Sequence, residues 1–310
     1  MTKKIVVTGG NGFLGTAVCK KARTKGYDVI SFGSADYDLR APESVSKMFE
    51  AYKPDVMIHL AAKVGGIGAN ISKPGLFTYE NLLMGLNVIE EARKHNLSKL
   101  VIAGTVCAYP CNCPVPFKEE DLWNGFPEPT NAGYALAKKM LLVLLSAYRQ
   151  QYGLNGIFLL PTNLFGPHDS FDLENSHVIP AMIRKFHEAK IRGDKFVELW
   201  GDGTPSREFL YVEDCADAFV SAIERYNKPE PINIGNGQEI IMSDLANMIK
   251  TTTGFRGEIR WNKSKPNGQP RRMLDTNKAK KELEWEFKTP IEEGLVKTYE
   301  WFSGATSPSP

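Results

Sequence analysis

The sequence predicts an α/β fold: a doubly wound parallel sheet followed by a smaller C-terminal lobe. Three observations carry this. Short apolar, β-branched runs alternate with stretches of helical spacing through the first half of the chain. That alternation builds strand–helix–strand units, whose strands run parallel. The runs are nearly continuous in apolar residues, as strands covered by helices on both faces require. After residue 165 the texture changes, and proline and glycine crowd FGPHDSF, WGDGTPSREF and KPNGQPRR.

Residues 4–8 (KIVVT) form the first strand and run into glycines. Residues 13–24 carry helical spacing, and 27–32 (YDVISF) read as the second strand. A helix over 44–52 leads to a third strand at 56–60 (VMIHL). The long helix over 79–95 puts Leu82, Leu83, Leu86, Val88 and Ile89 largely on one side. Residues 100–103 (LVIA) are the fourth strand, 131–152 a helix rich in Ala, Leu and Lys, and 156–160 (GIFLL) the fifth strand. Beyond them, helices over 179–189 and 214–225 sit between irregular segments. Residues 231–234 (PINI) are expected to return to the sheet. The expected division is a cofactor-binding domain over 1–165, a substrate lobe mainly over 166–303, and a disordered tail, GATSPSP, over 304–310.

The chain has 310 residues, 42% hydrophobic and 24% charged, an ordinary globular balance with room for two lobes. A formal net charge of +2 gives no electrostatic case for nucleic acid, and no basic run suggests a membrane surface. The opening MTKKIVVTGG has an apolar run of only three residues, too short for a signal peptide. No apolar span of roughly 20 residues follows it. A reducing, cytoplasmic setting is the resulting expectation. The odd count of five cysteines speaks against a disulfide framework.

The string TGGNGFLG (8–15) carries the first chemistry. Gly9, Gly12 and Gly15 are spaced three apart, with Gly10 extra, between a strand and a helix. Glycines allow the tight turn and the close approach of a pyrophosphate, and the helix N-terminus supplies free N–H groups. This predicts a Rossmann-type dinucleotide site that includes Asn11, Phe13 and Leu14. Cofactor choice is read after the second strand, in Phe32-Gly33-Ser34-Ala35-Asp36. No acid follows the strand directly to repel a 2′-phosphate, and no arginine holds one. Asp36 is close enough to matter, while Asp38 and Leu39 are better placed to meet the adenine. NADP(H) is favoured over NAD(H).

Tyr134 and Lys138 are four residues apart on a helix and share one face. An ammonium beside a phenol lowers its pKa, so the tyrosine can move a proton near neutrality. In a lysine-rich helix the pair also arises by chance. Thr105, after the fourth strand, adds a hydroxyl for the same substrate oxygen. Together they describe a proton-transfer site beside a nicotinamide.

At this point the chain resembles the extended short-chain dehydrogenase/reductases. The strings EPTNAGYALAK (128–138), PTNLFGPHDSF (161–171), NSHVIPAMIRKFHEA (175–189), WGDGTPSREFLYVED (200–214) and SKPNGQPRRMLD (264–275) narrow this to a resemblance to GDP-L-fucose synthases. The resemblance implies epimerisation of a GDP-4-keto sugar at C3 and C5, then reduction at C4 with NADPH. It implies Cys107 as the base, His177 as the acid and Tyr134 as the proton donor, with Lys138 holding the nicotinamide ribose. A ketone at C4 acidifies both neighbouring C–H bonds, and a thiol serves as base where positive charge lowers its pKa. Thr105 and Tyr134 would steady the enolate oxygen. The cofactor contacts expected in addition are Leu60, Ala61, Ala62, Ala103, Gly104, Pro161, Thr162, Asn163, Leu164 and His177.

Lys185, Trp200, Arg207 and Asp275 fall at the substrate-contact positions that the resemblance implies. Lys185 and Arg207 suit a pyrophosphate, Trp200 offers a broad apolar surface, and Asp275 accepts from ribose or guanine. Arg271 and Arg272 could serve as well. A homodimer is expected, formed by the helices over 79–95 and 131–152.

The sequence also departs from the resemblance. Thr105 stands where serine is usual, and Val106 where serine is frequent. Asn11 and Ser34 stand where arginines are often found, which weakens the NADP argument and leaves room for NAD. The alternatives are an enzyme for another GDP-4-keto sugar (a colitose or 6-deoxy-heptose precursor), a nucleotide-sugar dehydratase or 4-epimerase, and a non-catalytic dinucleotide sensor. Val106-Cys107 replaces the Asp-Glu pair that a dehydratase carries. Cys111 and Cys113, bracketed by prolines, lack zinc-ligand spacing and read as loop thiols rather than a metal site.

Overall fold

The computed structural model describes residues 2–173, 176–265 and 267–306. The first half alternates β1 (Lys4–Thr8), α1 (Phe13–Thr24), β2 (Asp28–Phe32), α2 (Pro42–Tyr52), β3 (Val56–His59), α3 (Ile67–Ser72), α4 (Pro74–Lys94), β4 (Lys99–Ala103), α5 (Ala132–Tyr152) and β5 (Gly156–Pro161). Then come β6 (Asn163–Phe165), α6 (Val178–Arg192), β7 (Phe196–Trp200), β8 (Ser206–Tyr211), α7 (Val212–Arg225) and β9 (Ile232–Ile234). The chain closes with β10 (Glu239–Ile241), α8 (Met242–Thr253), β11 (Glu258–Asn262), α9 (Asn277–Leu283) and α10 (Ile291–Thr306).

Six parallel strands make the main sheet, in the order β2-β1-β3-β4-β5-β9. Successive side chains on a strand point to opposite faces. Ile5, Val7, Ile58, Val101 and Leu159 pack with α1 and α7 on one face. Val6, Met57, Leu100, Ile102 and Phe158 pack with α2, α4 and α5 on the other. Both faces are therefore apolar, which is why the strands read as unbroken runs. The chain leaves β1 for β2 on one side and returns to β3 on the other. Ligands bind outside the carboxyl ends of the strands at such a switch.

Two small sheets, β10-β8-β6 and the parallel pair β11-β7, lie beyond β5. A third apolar core, including Ile183, Phe186, Phe209, Leu245, Ile249 and Leu295, joins them to α6, α8 and α10. α4 starts at Pro74, five residues before the helical pattern becomes legible. Proline is compatible with a first helical position, and this first turn leaves Leu76 exposed. α10 takes in residues 304–306, placed by the sequence in a disordered tail; Phe302 anchors that end in the third core. Residues 307–310 of the expected tail lie outside the described residues. Among the described residues no helix is long and apolar enough to cross a membrane.

Candidate active site

The turn from β1 into α1 is shaped by contact with its neighbours. Gly9 has φ +70°, and a Cβ there would stand 2.8 Å from the Ala61 nitrogen after β3. A Cβ on Gly15 would overlap the Gly9 carbonyl oxygen. Gly12 N–H donates to Gly9 O at 3.0 Å, and Gly12 is the N-cap of α1 with no side-chain cap. A helix N-terminus with uncapped N–H groups is ready for an anion. Leu60 and Ala61 are tied to β1, through Leu60 N–H to Thr8 O at 3.1 Å and Ala61 N–H to Thr8 Oγ1 at 3.4 Å. Ala62 follows, half-buried.

At the end of β2 the Asn11 amide lies beside Gly33, and Ser34 is exposed. The Asp36 carboxylate accepts from Gly33 N–H at 2.9 Å and so closes its own turn. Asp38 and Leu39, expected to meet the adenine, follow this turn. Arg40 donates Nε and Nη2 to Asp38 at 2.8 and 2.9 Å, while Leu39 is only 6% exposed and belongs to the core. Sequence spacing could not reveal that Arg40, two residues on, would take the Asp38 carboxylate.

The catalytic candidates gather at the carboxyl end of β4. Thr105 caps a short 3₁₀ turn, Val106–Ala108, its Oγ1 accepting from Cys107 N–H at 3.2 Å. Tyr134 enters from the first turn of α5, with Thr105 and Cys107 as electrostatic neighbours. Burial pushes the Tyr134 phenol well above its usual range, Cys107 raises it further, and the Thr105 hydroxyl lowers it. This corrects the expectation that Lys138 brings the phenol down. The Lys138 ammonium instead donates to Ala103 O at 2.9 Å, and burial lowers its own pKa to about 8. Gly104 packs so closely on Phe158 that a Cβ there would overlap the ring.

Sequence reasoning missed His59. It ends β3, is 1% exposed, and its Nδ1 shares a hydrogen bond with Thr8 Oγ1 at 2.8 Å. Burial first, and the Lys138 charge second, lower its pKa to about 3. The imidazole is thus neutral, and its Nε2 has no hydrogen-bond partner among the described residues. The available signal was one polar residue at the end of an apolar run.

Pro161 ends β5 and leads to Thr162, Asn163 and Leu164. Thr162 N–H donates to Ile234 O at 2.9 Å and the Asn163 amide to Glu208 O at 3.0 Å, which fixes this floor of the site to β8 and β9. Arg207, on β8, faces Cys107 and Arg272; burial, then Arg272, lower its pKa to about 10. His177 immediately precedes α6, Lys185 lies on α6 and Trp200 ends β7. His177 caps α6 with Nδ1 4.0 Å from Asp169 Oδ1, Lys185 donates to Glu198 O at 3.2 Å, and Lys265 lies over the Trp200 ring. The Asp275 carboxylate is engaged within its own segment, where Oδ1 accepts from Asn277 N–H at 2.9 Å at the start of α9.

This geometry joins a dinucleotide-type turn to a hydroxyl, phenol, thiol and lysine at one sheet edge. Residues 5–235 match the NAD dependent epimerase/dehydratase family. The chain belongs to that family. This epimerase/dehydratase-family chain is 45% identical to a GDP-L-fucose synthase of Sinorhizobium fredii, over 97% of this chain and 95% of the relative. It is 37% identical to a GDP-L-colitose synthase of Yersinia pseudotuberculosis, over 96% and 97%. It is similar to the crystal structure of a GDP-L-fucose synthetase from Naegleria fowleri bound to NADP, with TM-score 0.89 and 30% identity over 98% and 96% of the two chains.

Proposed function

We propose that this epimerase/dehydratase-family protein converts GDP-4-keto-6-deoxy-D-mannose to GDP-L-fucose, epimerising C3 and C5 and then reducing C4 with NADPH. The observation that carries the reading is Cys107 beside Thr105 and Tyr134 at the end of β4. An ordinary reductase needs the hydroxyl and the phenol; a thiol among them supplies a base for carbon. The relatives named fucose and colitose synthases support a GDP-4-keto sugar as substrate.

The residues present fit a dinucleotide. A Cβ at Gly9 or Gly15 would fill the turn that leads to the uncapped start of α1. Gly10, Asn11, Gly12, Phe13 and Leu14 would hold the pyrophosphate, and the buried Lys138 the nicotinamide ribose. Ser34 and the Asn11 amide suit a 2′-phosphate, and Asp36 is folded away against Gly33. The bound cofactor supplies the hydride. Cys107 removes the proton from C3, and afterwards from C5, leaving the electron pair on the C4 oxygen as an enolate each time; between the two steps Cys107 gives its proton to solvent and His177 regains one from it. His177 returns a proton to carbon from the opposite face. Tyr134, kept protonated by its burial, gives its proton to the C4 oxygen in the reduction. Lys185, Trp200, Arg207 and Asp275 are assigned to the GDP moiety, with Asp275 exchanging its bond to Asn277.

Residues 1–165 serve the cofactor and 166–303 mainly the sugar nucleotide. α4 and α5 pack on each other and expose Tyr79, Leu86, Met140 and Val143, which supports a homodimer built on this helix pair. The five thiols are free, in keeping with a cytoplasmic setting. The test incubates the protein with GDP-4-keto-6-deoxy-D-mannose and NADPH and identifies the sugar by NMR. GDP-L-fucose is expected, and absence of consumption rejects the reading. The colitose-synthase relative favours one alternative, a different GDP-4-keto sugar, and kcat/KM measured side by side decides between them.

A further inference from the structure

Arg271 and Arg272 are adjacent, yet their side chains part. Arg271 pairs with Glu239 at the surface. Arg272 turns inward, and its Nη1 donates to Cys107 Sγ at 3.6 Å. The rest of its guanidinium is fixed: Nε and Nη2 both donate to Gln269 Oε1, at 3.1 and 2.7 Å. Gln269 is oriented in turn, since its amide Nε2 donates to Cys111 O at 2.6 Å. The backbone is held as firmly. Arg272 O accepts from Glu208 N–H at 3.1 Å, Met273 O from Phe117 N–H at 2.8 Å, and Leu274 N–H donates to Glu208 Oε2 at 2.9 Å. A surface arginine free to follow a pyrophosphate would not be held in this way.

We propose that Arg272, locked by Gln269, is a positioning residue that holds Cys107 as a thiolate aimed into the site. The proposal rests on the reading of Cys107 as the base only for its catalytic consequence. The thiol faces Tyr134 from α5, Arg207 from β8 and Arg272 from the segment before α9. Tyr134 stays protonated, so the charges around the sulfur are two cations. Glu239, the acid that faces Arg207, is already paired with Arg271 and Ser206. A cation donating a hydrogen bond to sulfur favours the thiolate, and a planar guanidinium does so in a fixed direction. In the reaction the thiolate gains the C–H proton and becomes a thiol, the electron pair passes to the enolate oxygen, and Arg272 is unchanged. Among the described residues no arginine donates to the two other loop thiols, and burial pushes Cys113 up to about 12.

The test follows alkylation of Cys107 by iodoacetamide across pH, read by mass spectrometry, in the free protein carrying Cys111→Ser and Cys113→Ser. Arg272→Gln is expected to slow alkylation about threefold near pH 7, after allowing for the greater nucleophilicity of a less stabilised thiolate. Where both thiols are fully ionised the order should reverse, because the variant's thiolate is then the stronger nucleophile. Arg272→Lys keeps the charge but loses the fork, and should fall between. If Arg272→Gln fails to fold, Gln269→Leu frees the guanidinium and should slow alkylation in the same direction by less. An unchanged pH profile overturns the proposal. So does a raised KM for the GDP-sugar with unaltered alkylation, which would make Arg272 a phosphate ligand. Solvent-deuterium exchange at C3 and C5 separates the two readings. If alkylation responds to Arg272 while Cys107→Ser leaves exchange intact, the base role fails and the thiolate contact stands.

Discussion

His177 Nδ1 lies 4.0 Å from Asp169 Oδ1, and the other oxygen of this buried carboxylate has no hydrogen-bond partner among the described residues. Oδ1 is itself anchored by Ser170 N–H at 2.7 Å. A small closing movement would bring the pair to hydrogen-bond distance, where the carboxylate would orient the imidazole ring. Asp169→Asn keeps the shape and removes the charge. It is expected to slow solvent exchange at C3 and C5 about tenfold, a fraction of what a general acid contributes. The loss should not add to that of His177→Gln in a double-mutant cycle, because residues acting as a unit are non-additive. Additive losses would show that Asp169 acts independently of the imidazole.

Tyr134→Phe separates the two halves of the proposed reaction. Burial and Cys107 hold the phenol above its usual range, so at neutral pH it is a ready donor and a poor base. Its removal is expected to cut C4 reduction about a hundredfold or more. NADPH binding, followed by fluorescence, should be retained. Reduction at near wild-type rate would remove Tyr134 from the site.

The first half of the fold was legible because its strands are buried on both faces. KIVVT, VMIH and KLVIA read as strands wherever helices cover them. β7 and β11 (FVELW and EIRWN) were not: they form an isolated pair, and their alternating or mixed polarity resembles a loop in a Pro- and Gly-rich stretch. Tyr134, Lys138 and Thr105 stood out by spacing and strand ends, and the structure brings Tyr134 and Thr105 together. The direction of the Tyr134 shift was not, because it is set by burial, which spacing does not report. The Arg272–Cys107 contact joins residues 165 apart in the chain. No local pattern chooses between Arg271 and Arg272.

Gly15 tests the nucleotide turn without touching the chemistry. A Cβ there would overlap Gly9 O and stand 2.7 Å from Gly10 Cα, both backbone atoms that cannot rotate away. Gly15→Ala is expected to destabilise the protein by about 1–3 kcal/mol, as overpacking does. It should also weaken NADPH binding, since the turn must open to accept the methyl. Gly68→Ala meets nothing within 4 Å and serves as the control. Unchanged Tm and NADPH affinity in Gly15→Ala would mean that the turn does not depend on this contact.

Glu208 gives the molecule a dependence on pH that can be worked out in advance. It is fully buried on β8, and its carboxylate accepts from Gly237 N–H at 2.6 Å and Leu274 N–H at 2.9 Å. Burial raises its pKa to about 7, and the hydrogen bonds oppose the rise. The folded protein therefore holds this proton more tightly than the unfolded chain. The resulting stability is fully present below the ordinary carboxyl range and is lost as pH rises through about 7. Its whole size is about 3 kcal/mol. Glu208→Gln cannot ionise, and its one carbonyl oxygen faces two N–H donors. The variant should be less stable in acid by about 1–3 kcal/mol, from one unpaired donor. It should also lose less stability than the wild type between about pH 5 and about pH 8. Urea midpoints across that range measure both effects. Equal slopes in the two proteins would place the proton uptake on another group. A reduced slope would tie it to the strand that holds the backbone of Arg272 and Leu274 against the active site.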